Sequence, residues 1–262
     1  MRIVISCLIV ALLPAGAAAH DTWVQTNTNV VRTGDTVHID LLLGNHGNQH
    51  RDFKIASKTT LDGCTLDVLA PDGEKYDIKS DLVDLGYAPK EGFWTTSFTP
   101  GKPGLYMVAH ARDSLHLTKR GIKSGKTFFV ASDRLDQVSQ NNPGFDKPLG
   151  HPLELVPLTN PVTPMGPGEE LRVQLLYQGK PLPGATVSFI PRGTQLAAEF
   201  DAEYERRTDA QGQASFTPKA GNYYLVVAHH EEPEQKGDGY DGTKYSATLT
   251  LLVPQVCPCC EE

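Results

Sequence analysis

The sequence predicts an all-β fold that consists of two tandem β-sandwiches. Helical periodicity, with apolar residues every three or four positions, is hard to find beyond the N-terminal segment. Instead, short β-branched and aromatic runs recur along the chain, separated by Gly, Pro, Asn and Asp. The 24 glycines and 19 prolines fit the many turns that such sandwiches require.

Residues 1–19 have the pattern of a secretory signal. Arg2 supplies a positive start, an apolar run follows, and Ala17 and Ala19 are the small residues that a signal peptidase requires. Cleavage after Ala19 makes His20 the first residue of the mature protein. No later run approaches the roughly 20 apolar residues of a membrane-spanning helix. We therefore expect a periplasmic or secreted protein with no transmembrane segment in the mature chain.

The first predicted domain covers residues 20–152. Turn signals at 71–73 and 100–101 separate its strands. The predicted strands are Thr36 to Leu43, Thr65 to Leu69, Trp94 to Phe98, Gly104 to Ala111 and Lys126 to Val130. The stretch 132–168 is too rich in proline for long regular structure, so it indicates an interdomain connection with the boundary near Leu153.

The second predicted domain covers residues 153–254 and is followed by a cysteine-rich tail at 255–262. A Gly- and Pro-rich segment at 178–184 predicts a hairpin or corner between its first two strands. The predicted strands are Glu170 to Tyr177, Ala185 to Ile190, Gln213 to Phe216, Tyr223 to His229 and Tyr245 to Val253.

Local patterns in the second half resemble known sandwich modules. Gly-x-Pro-x-x-Gly-Ala-x-Val begins at Gly179, Thr-Asp-x-x-Gly begins at Thr208, and Gly-x-Tyr begins at Gly221. This order is similar to transthyretin-like or carboxypeptidase-regulatory-like modules. The resemblance implies a fold and says almost nothing about function.

A wider resemblance covers the whole mature chain. It rests on Ala-His-Asp-x-Trp at 19–23, on the junction segment 153–161, and on Gly-Lys-Pro-Leu-Pro-Gly-Ala at 179–185. These segments resemble an exported two-domain family of unknown function whose members are linked to periplasmic nickel or cobalt uptake. The resemblance implies two tandem Ig-like sandwiches and a metal-handling accessory, with a metal-uptake transporter as a further candidate partner. The Cys-Pro-Cys-Cys tail from Cys257 departs from the family pattern.

Histidines supply the candidate metal ligands. At a mature N terminus, His20 offers both an α-amine and an imidazole, and nitrogen donors suit Ni, Co, Cu or Zn. His46 and His50 are expected on a polar loop that a ligand can reach, and His110 on a strand whose end could lie beside the N terminus. The alternative is that cleavage falls beside a histidine by chance or a few residues away, and that each histidine is structural.

Neighbouring polar residues allow two interpretations. Asp21, Asp40 and Asp113 either orient an imidazole by accepting its second N–H or are solvated strand-end charges. Because adjacent strand residues point to opposite faces, at most one of His229 and His230 is expected to serve a site. Further expectations are a solvent-facing His38 and a Trp23 that packs the first strand into the core.

The cysteines allow either soft-metal capture or disulfides. After export, Cys64 and the tail residues Cys257, Cys259 and Cys260 are in a compartment where disulfides persist. Three reduced thiols so close together would instead suit Cu(I) or Zn²⁺.

Charge and motif content exclude several classes of function. The formal net charge is −7 and no basic stripe is present, which disfavours nucleic acid. Nucleophile elbows, phosphate-binding glycine loops, His-Glu-x-x-His and dinucleotide motifs are missing, so we expect no enzyme. The predicted function is binding of a divalent transition metal, for uptake or buffering, through His20, His46, His50 and His110. The alternative is a structural or adhesion-type protein that binds a protein or glycan and no metal.

Overall fold

The computed structural model describes residues 20–47, 50–197 and 199–255, without the side chains of 45–47 and 50. The predicted signal at 1–19 and the cysteines at 257, 259 and 260 lie outside the described residues.

The all-β prediction is confirmed. In the first half the strands are β1 (Asp21–Thr26), β2 (Val30–Arg32), β3 (Val37–Gly47), β4 (His50–Ser57), β5 (Cys64–Leu69), β6 (Lys75–Asp77), β7 (Val83–Asp84), β8 (Trp94–Phe98), β9 (Gly104–His116) and β10 (Lys119–Ser132). In the second half they are β11 (Leu153–Pro157), β12 (Leu171–Tyr177), β13 (Lys180–Pro181), β14 (Thr186–Pro191), β15 (Glu205–Arg207), β16 (Gln213–Phe216), β17 (Asn222–Glu232) and β18 (Thr243–Val253). Among the described residues, no helix is long and apolar enough to cross a membrane.

The strands form three sheets. The front sheet has the order β1-β3-β8-β7, with β4 paired to β3. The central sheet has the order β15-β14-β17-β18-β10-β9-β5-β6, with β2 paired to β10. The back sheet has the order β11-β12-β13, with β16 paired to β12.

The central sheet joins the two halves of the chain. Strand β10 pairs in parallel with β18, from Arg120 opposite Thr243 to Thr127 opposite Thr250. Strands from both sides of Leu153 therefore belong to one continuous sheet. The back sheet packs on one face of it and buries the largest apolar cluster, which includes Phe128 of the first half. The two sandwiches thus share a sheet, which a division of the sequence into consecutive segments does not show.

Strand β1 lies on the other face of the central sheet, against β10 and β18. Its side chains alternate between the two halves because successive strand residues point in opposite directions. Val24 belongs to a buried cluster with Phe129 of the first half. Trp23 belongs to a cluster with Leu225 and Val227 of the second half, as expected for a residue that packs the strand into the core. The N-terminal strand is therefore a wedge between the halves.

Several strands are longer than predicted. The strand predicted to end at Ala111 continues to His116, because β9 pairs with β10 up to His116 opposite Lys119. The hairpin turns instead at Leu117, which has a φ of 54°. The prolines of the predicted connection do not prevent β11, which pairs with β12 from Leu153 onward.

Candidate metal centre

His20 directly precedes the wedge strand β1. Its side chain is exposed, whereas Asp21 and Thr22 have no exposed surface. The Lys123 ammonium of β10 donates a hydrogen bond to the carbonyl oxygen of His20. The residue is therefore held through its backbone while its imidazole faces solvent.

Asp21 anchors β1 to the second half of the chain. Its two carboxylate oxygens lie 2.9 and 3.1 Å from Nε2 of His229, which donates to them. Burial opposes a charge on the imidazole, but the Asp21 carboxylate outweighs it and raises the pKa of His229. Asp21 thus orients an imidazole, the first of the two interpretations offered for it. Carboxylates hold metal-binding histidines in the same way.

Thr22 anchors β1 to the first half. Nδ1 of His110 lies 2.9 Å from the carbonyl oxygen of Thr65, and its Nε2 lies 3.1 Å from the hydroxyl oxygen of Thr22. Because a carbonyl only accepts, Nδ1 carries the proton and Nε2 accepts from the Thr22 hydroxyl. Burial lowers the pKa of His110 to about 4, so the ring is neutral at neutral pH. It can bind a metal only if the bond to Thr22 opens.

Trp23 explains the glycine at position 44. The indole lies against this residue, and a Cβ added to Gly44 would be 2.2 Å from Trp23 Cη2 and 2.4 Å from the carbonyl oxygen of Lys54. Trp23 also contacts Phe53 edge-on at 5.3 Å. Glycine is therefore required for packing at this position.

His46 and His50 lie on strands, so the loop prediction for them is wrong. Strand β3 continues to Gly47 and β4 begins at His50, and Gly47 pairs with His50. Backbone pairing is possible here because every residue other than proline carries a backbone N–H and C=O, whatever its side chain. Asp21 pairs with Gly44, so His46 is two residues beyond that pair, at the same end of the front sheet as His20.

The predicted ligands are brought together only in part. The backbones of His20, His46 and His50 lie at one end of the front sheet, and His110 contacts Thr22. Within the described ranges, no three His, Cys, Asp or Glu side chains form a set that holds a metal ion. The side chains of His46 and His50 are outside the description, so the four-histidine site stays a prediction.

A row of polar side chains crosses the central sheet beneath His20. Adjacent strands place Arg112 opposite Lys123, Lys123 opposite Ser246, and Ser246 opposite His229. Cross-strand partners share a face, and this face carries β1. Burial lowers the pKa of Lys123, partly offset by Asp21. Lys123 was missed from the sequence, where it sits in a strand with no other sign of function.

A cavity of about 560 Å³ opens on the second-half side of β1. His229 lines it, together with Arg51, Glu199, Glu205, Arg207 and Glu231. The candidate site therefore borders a space much larger than a metal ion.

Three other polar residues were singled out from the sequence, namely His38, Asp40 and His230. His38 is exposed, as predicted. The Asp40 carboxylate accepts from the Thr95 hydroxyl at 2.7 Å. His230 points away from His229, with its ring 4.3 Å from that of Tyr177. The two adjacent histidines therefore have different ring contacts, His229 with Asp21 and His230 with Tyr177.

Cys64 is buried, and burial raises the pKa of its thiol. Its sulfur lies 3.4 Å from the carbonyl oxygen of Thr60, to which it donates. This thiol is a poor nucleophile and a poor metal ligand at neutral pH, because both roles require the thiolate.

A family model covers most of the chain, from residue 17 to residue 232. The chain belongs to the domain of unknown function DUF4198. The DUF4198 match includes His20, Asp21 and His229, and it ends before β18. No curated protein matches the chain.

Similarity of this DUF4198 protein to solved structures is low. A DUF4785 family protein of Legionella pneumophila is 13% identical over 78% of this chain and 50% of its own, with a TM-score of 0.30. Elastase-activated alpha-2-macroglobulin of Escherichia coli is 13% identical over 90% of this chain and 20% of its own, with a TM-score of 0.26. The mouse nectin-like molecule 4 ectodomain is 12% identical over 90% of this chain and 65% of its own, with a TM-score of 0.22. This chain spans half or less of the length of the first two proteins.

Proposed function

We propose that this protein binds a divalent transition metal ion at an N terminus that begins with His20. The ion is Ni²⁺ or Co²⁺, with Cu²⁺ and Zn²⁺ as alternatives, and the role is uptake or buffering in the periplasm or outside the cell. One observation supports this proposal most strongly. His20 directly precedes two fully buried residues, Asp21 and Thr22, and each of these contacts a histidine of the central sheet.

The donor chemistry of a terminal histidine suits these metals. Its α-amine and imidazole supply two nitrogen donors that close a chelate ring around one ion. His46 and His50, at the same end of the front sheet, are the candidates for further donors. His110 joins them only if its bond to Thr22 opens, and Asp21 orients His229 beside them.

The surrounding structure favours a preorganised site. Lys123 donates to the carbonyl of His20, and Thr248 donates to the carbonyl of Thr22 at 2.9 Å. The backbone next to the terminal residue is therefore fixed before any ion binds. A fixed ligand loses less conformational entropy on binding, which increases affinity.

The test compares two N termini. Protein that begins at His20 is titrated calorimetrically with Ni²⁺, Co²⁺, Cu²⁺ and Zn²⁺, beside protein with one alanine ahead of His20. The extension converts the α-amine into an amide and removes one donor of the chelate. We expect affinity to fall about tenfold or more, which corresponds to about 1.4 kcal/mol. H20A, which keeps the amine and loses the imidazole, should weaken binding similarly.

The matched control is H38A, because His38 is an exposed histidine of the same sheet. It should bind every metal as the unaltered protein does. If the alanine extension leaves all four affinities unchanged, the N-terminal site is wrong. Mass spectrometry of the exported protein provides a second check, since a first residue other than His20 also overturns the proposal.

A further inference from the structure

The cavity beside His229 has a rigid polar wall. It lies between β4 of the front sheet and β14, β15 and β17 of the central sheet. Arg51 of β4 pairs with Glu205 of β15, and their side chains are only 9% and 1% exposed. Arg51 also donates to the carbonyl oxygens of Ala197 and Glu199. Most of the hydrogen-bonding groups of Arg51 and Glu205 bond within the protein, so the pair forms part of the cavity wall.

Strand register sets the distance across the cavity. Val187 pairs with Ala228, so the preceding Thr186 lies beside His229 on the next strand. Thr186 in turn pairs with Arg207. Neighbouring strands are about 4.8 Å apart, which puts the backbones of His229 and Arg207 about 10 Å apart. A small molecule can therefore span from one to the other.

Arg207 is an exposed arginine of the cavity lining. Its guanidinium donates to the Gly184 carbonyl and lies 5.6 Å from the ring of Phe200. Among the described residues it forms no ion pair with a carboxylate. Of the other charged residues in the lining, Arg51 is neutralised by Glu205, Glu231 lies 3.0 Å from the Lys244 ammonium, and Glu199 is a third carboxylate. Arg207 is thus positioned to bind an external anion.

The size of the cavity also indicates a molecule larger than an ion. Pockets for small organic ligands measure about 300 to 1,000 Å³, and a water molecule takes about 30 Å³ in the liquid. A volume of about 560 Å³ falls within the first range. A metal ion with its waters would leave much of this space unused.

We propose that the cavity binds a small polycarboxylate that chelates the metal, with one carboxylate on Arg207 and the metal toward His229, whose partner Asp21 directly follows His20. This inference rests on the proposed function and adds that the metal is captured as a complex with an organic acid. The planar guanidinium of arginine binds carboxylates through two parallel hydrogen bonds, which gives both affinity and orientation. The other carboxylates of the chelator remain as oxygen donors on the ion.

The experiment uses citrate as the probe. Protein that begins at His20 is titrated with Ni²⁺ alone, with citrate alone and with preformed 1:1 nickel citrate. We expect nickel citrate to bind more tightly than citrate alone. R207Q should weaken binding of nickel citrate about tenfold and leave binding of Ni²⁺ alone unchanged, because only the anion contacts position 207. Arg207 is exposed, so the variant should fold, and thermal unfolding verifies this.

The matched control is R206Q. Arg206 is the next residue on β15, but its guanidinium lies over Phe216 in the core on the opposite face. R206Q should bind Ni²⁺ and nickel citrate as the unaltered protein does, and equal losses in both variants would refute a specific role for Arg207.

The outcomes separate this inference from the proposed function. If R207Q binds nickel citrate normally, or if citrate only strips Ni²⁺ from the protein, the carboxylate site is wrong while binding of free Ni²⁺ still supports the N-terminal site. If free Ni²⁺ does not bind but citrate binds through Arg207, the metal function is wrong and the anion site stands.

Discussion

The two sides of β1 differ in what they leave accessible. On the first-half side, His110 has no exposed surface and both of its ring nitrogens bond to the protein. On the second-half side, the His229 side chain is 35% exposed and lines a cavity. The comparison teaches that one strand can use one face to anchor itself and the other to border a cavity.

The two histidines also differ in charge. Burial lowers the pKa of His110 to about 4, with no carboxylate in contact to oppose it. Burial acts on His229 too, but Asp21 outweighs it and raises the pKa of that ring. The presence of a carboxylate, more than the degree of burial, therefore decides which imidazole is charged in mildly acidic solution.

Replacement of Trp23 should have the largest effect on stability. W23A removes a buried indole that joins β1 to the second half, and such truncations cost about 4 kcal/mol. V24A, on the first-half side, removes two carbons and should cost about 2 kcal/mol. Urea unfolding followed by circular dichroism measures both. A larger loss for V24A would contradict the role of Trp23 in joining the halves.

Protonation of His110 should have the next largest effect on stability. The unfolded ring takes up a proton near pH 6.5, whereas the folded ring does so only near pH 4. The unfolded state therefore binds more protons between these values, and stability falls as pH falls. The loss from pH 7 to pH 4 should be about 3 kcal/mol.

The control for that prediction is H110Q, measured with a chelator present to remove metals. It lacks the titrating ring, so its free energy of unfolding should fall less steeply below pH 6.5 than that of the unaltered protein. Parallel curves for the two proteins would show that His110 is not the buried neutral group described here.

The fold class and many strands could be predicted from local patterns. The strands Trp94–Phe98 and Gln213–Phe216 have the predicted bounds, because turn signals mark where they end. The end of β9 was missed because Arg112 to His116 contains Leu115 as its one apolar residue and so carries no apolar alternation. Pairing with β10 keeps this segment extended, and such pairing is not visible in the segment itself.

The site was only half predictable for a similar reason. Asp21 and His229 were both candidates, but 208 positions separate them in the sequence. They meet because β10 pairs in parallel with β18, which places β17 beside β1. No local signal specifies a parallel pairing between distant strands. The sequence could therefore predict which residue types form the site, but not which residues contact each other.

Replacement of Gly44 should have an intermediate effect. G44A places a methyl group 2.2 Å from the Trp23 ring and 2.4 Å from the carbonyl oxygen of Lys54, so the indole and the backbone must both shift. Overpacking of this kind costs about 2 kcal/mol. Indole fluorescence should move to the red as Trp23 becomes more exposed. G101A is the control, because no atom lies within 4 Å of its added methyl group.

Removal of the Asp21 charge should have the smallest effect on stability and the clearest effect on a pKa. D21N keeps an oxygen that accepts from His229 but loses the negative charge. Burial then acts unopposed, so the pKa of His229 should fall from above its usual value of about 6.5 to below it. Proton NMR of the imidazole as a function of pH measures this shift.

The stability difference between D21N and the unaltered protein should depend on pH in a defined direction. A raised folded pKa stabilises the protein below about pH 6.5, and this contribution disappears as pH rises through the folded value. The loss in D21N should therefore be about 1 kcal/mol near pH 6 and smaller at pH 8. D40N is the control, since Asp40 contacts Thr95 and not His229. A His229 titration that D21N does not move would remove the electrostatic distinction between the two sides of β1.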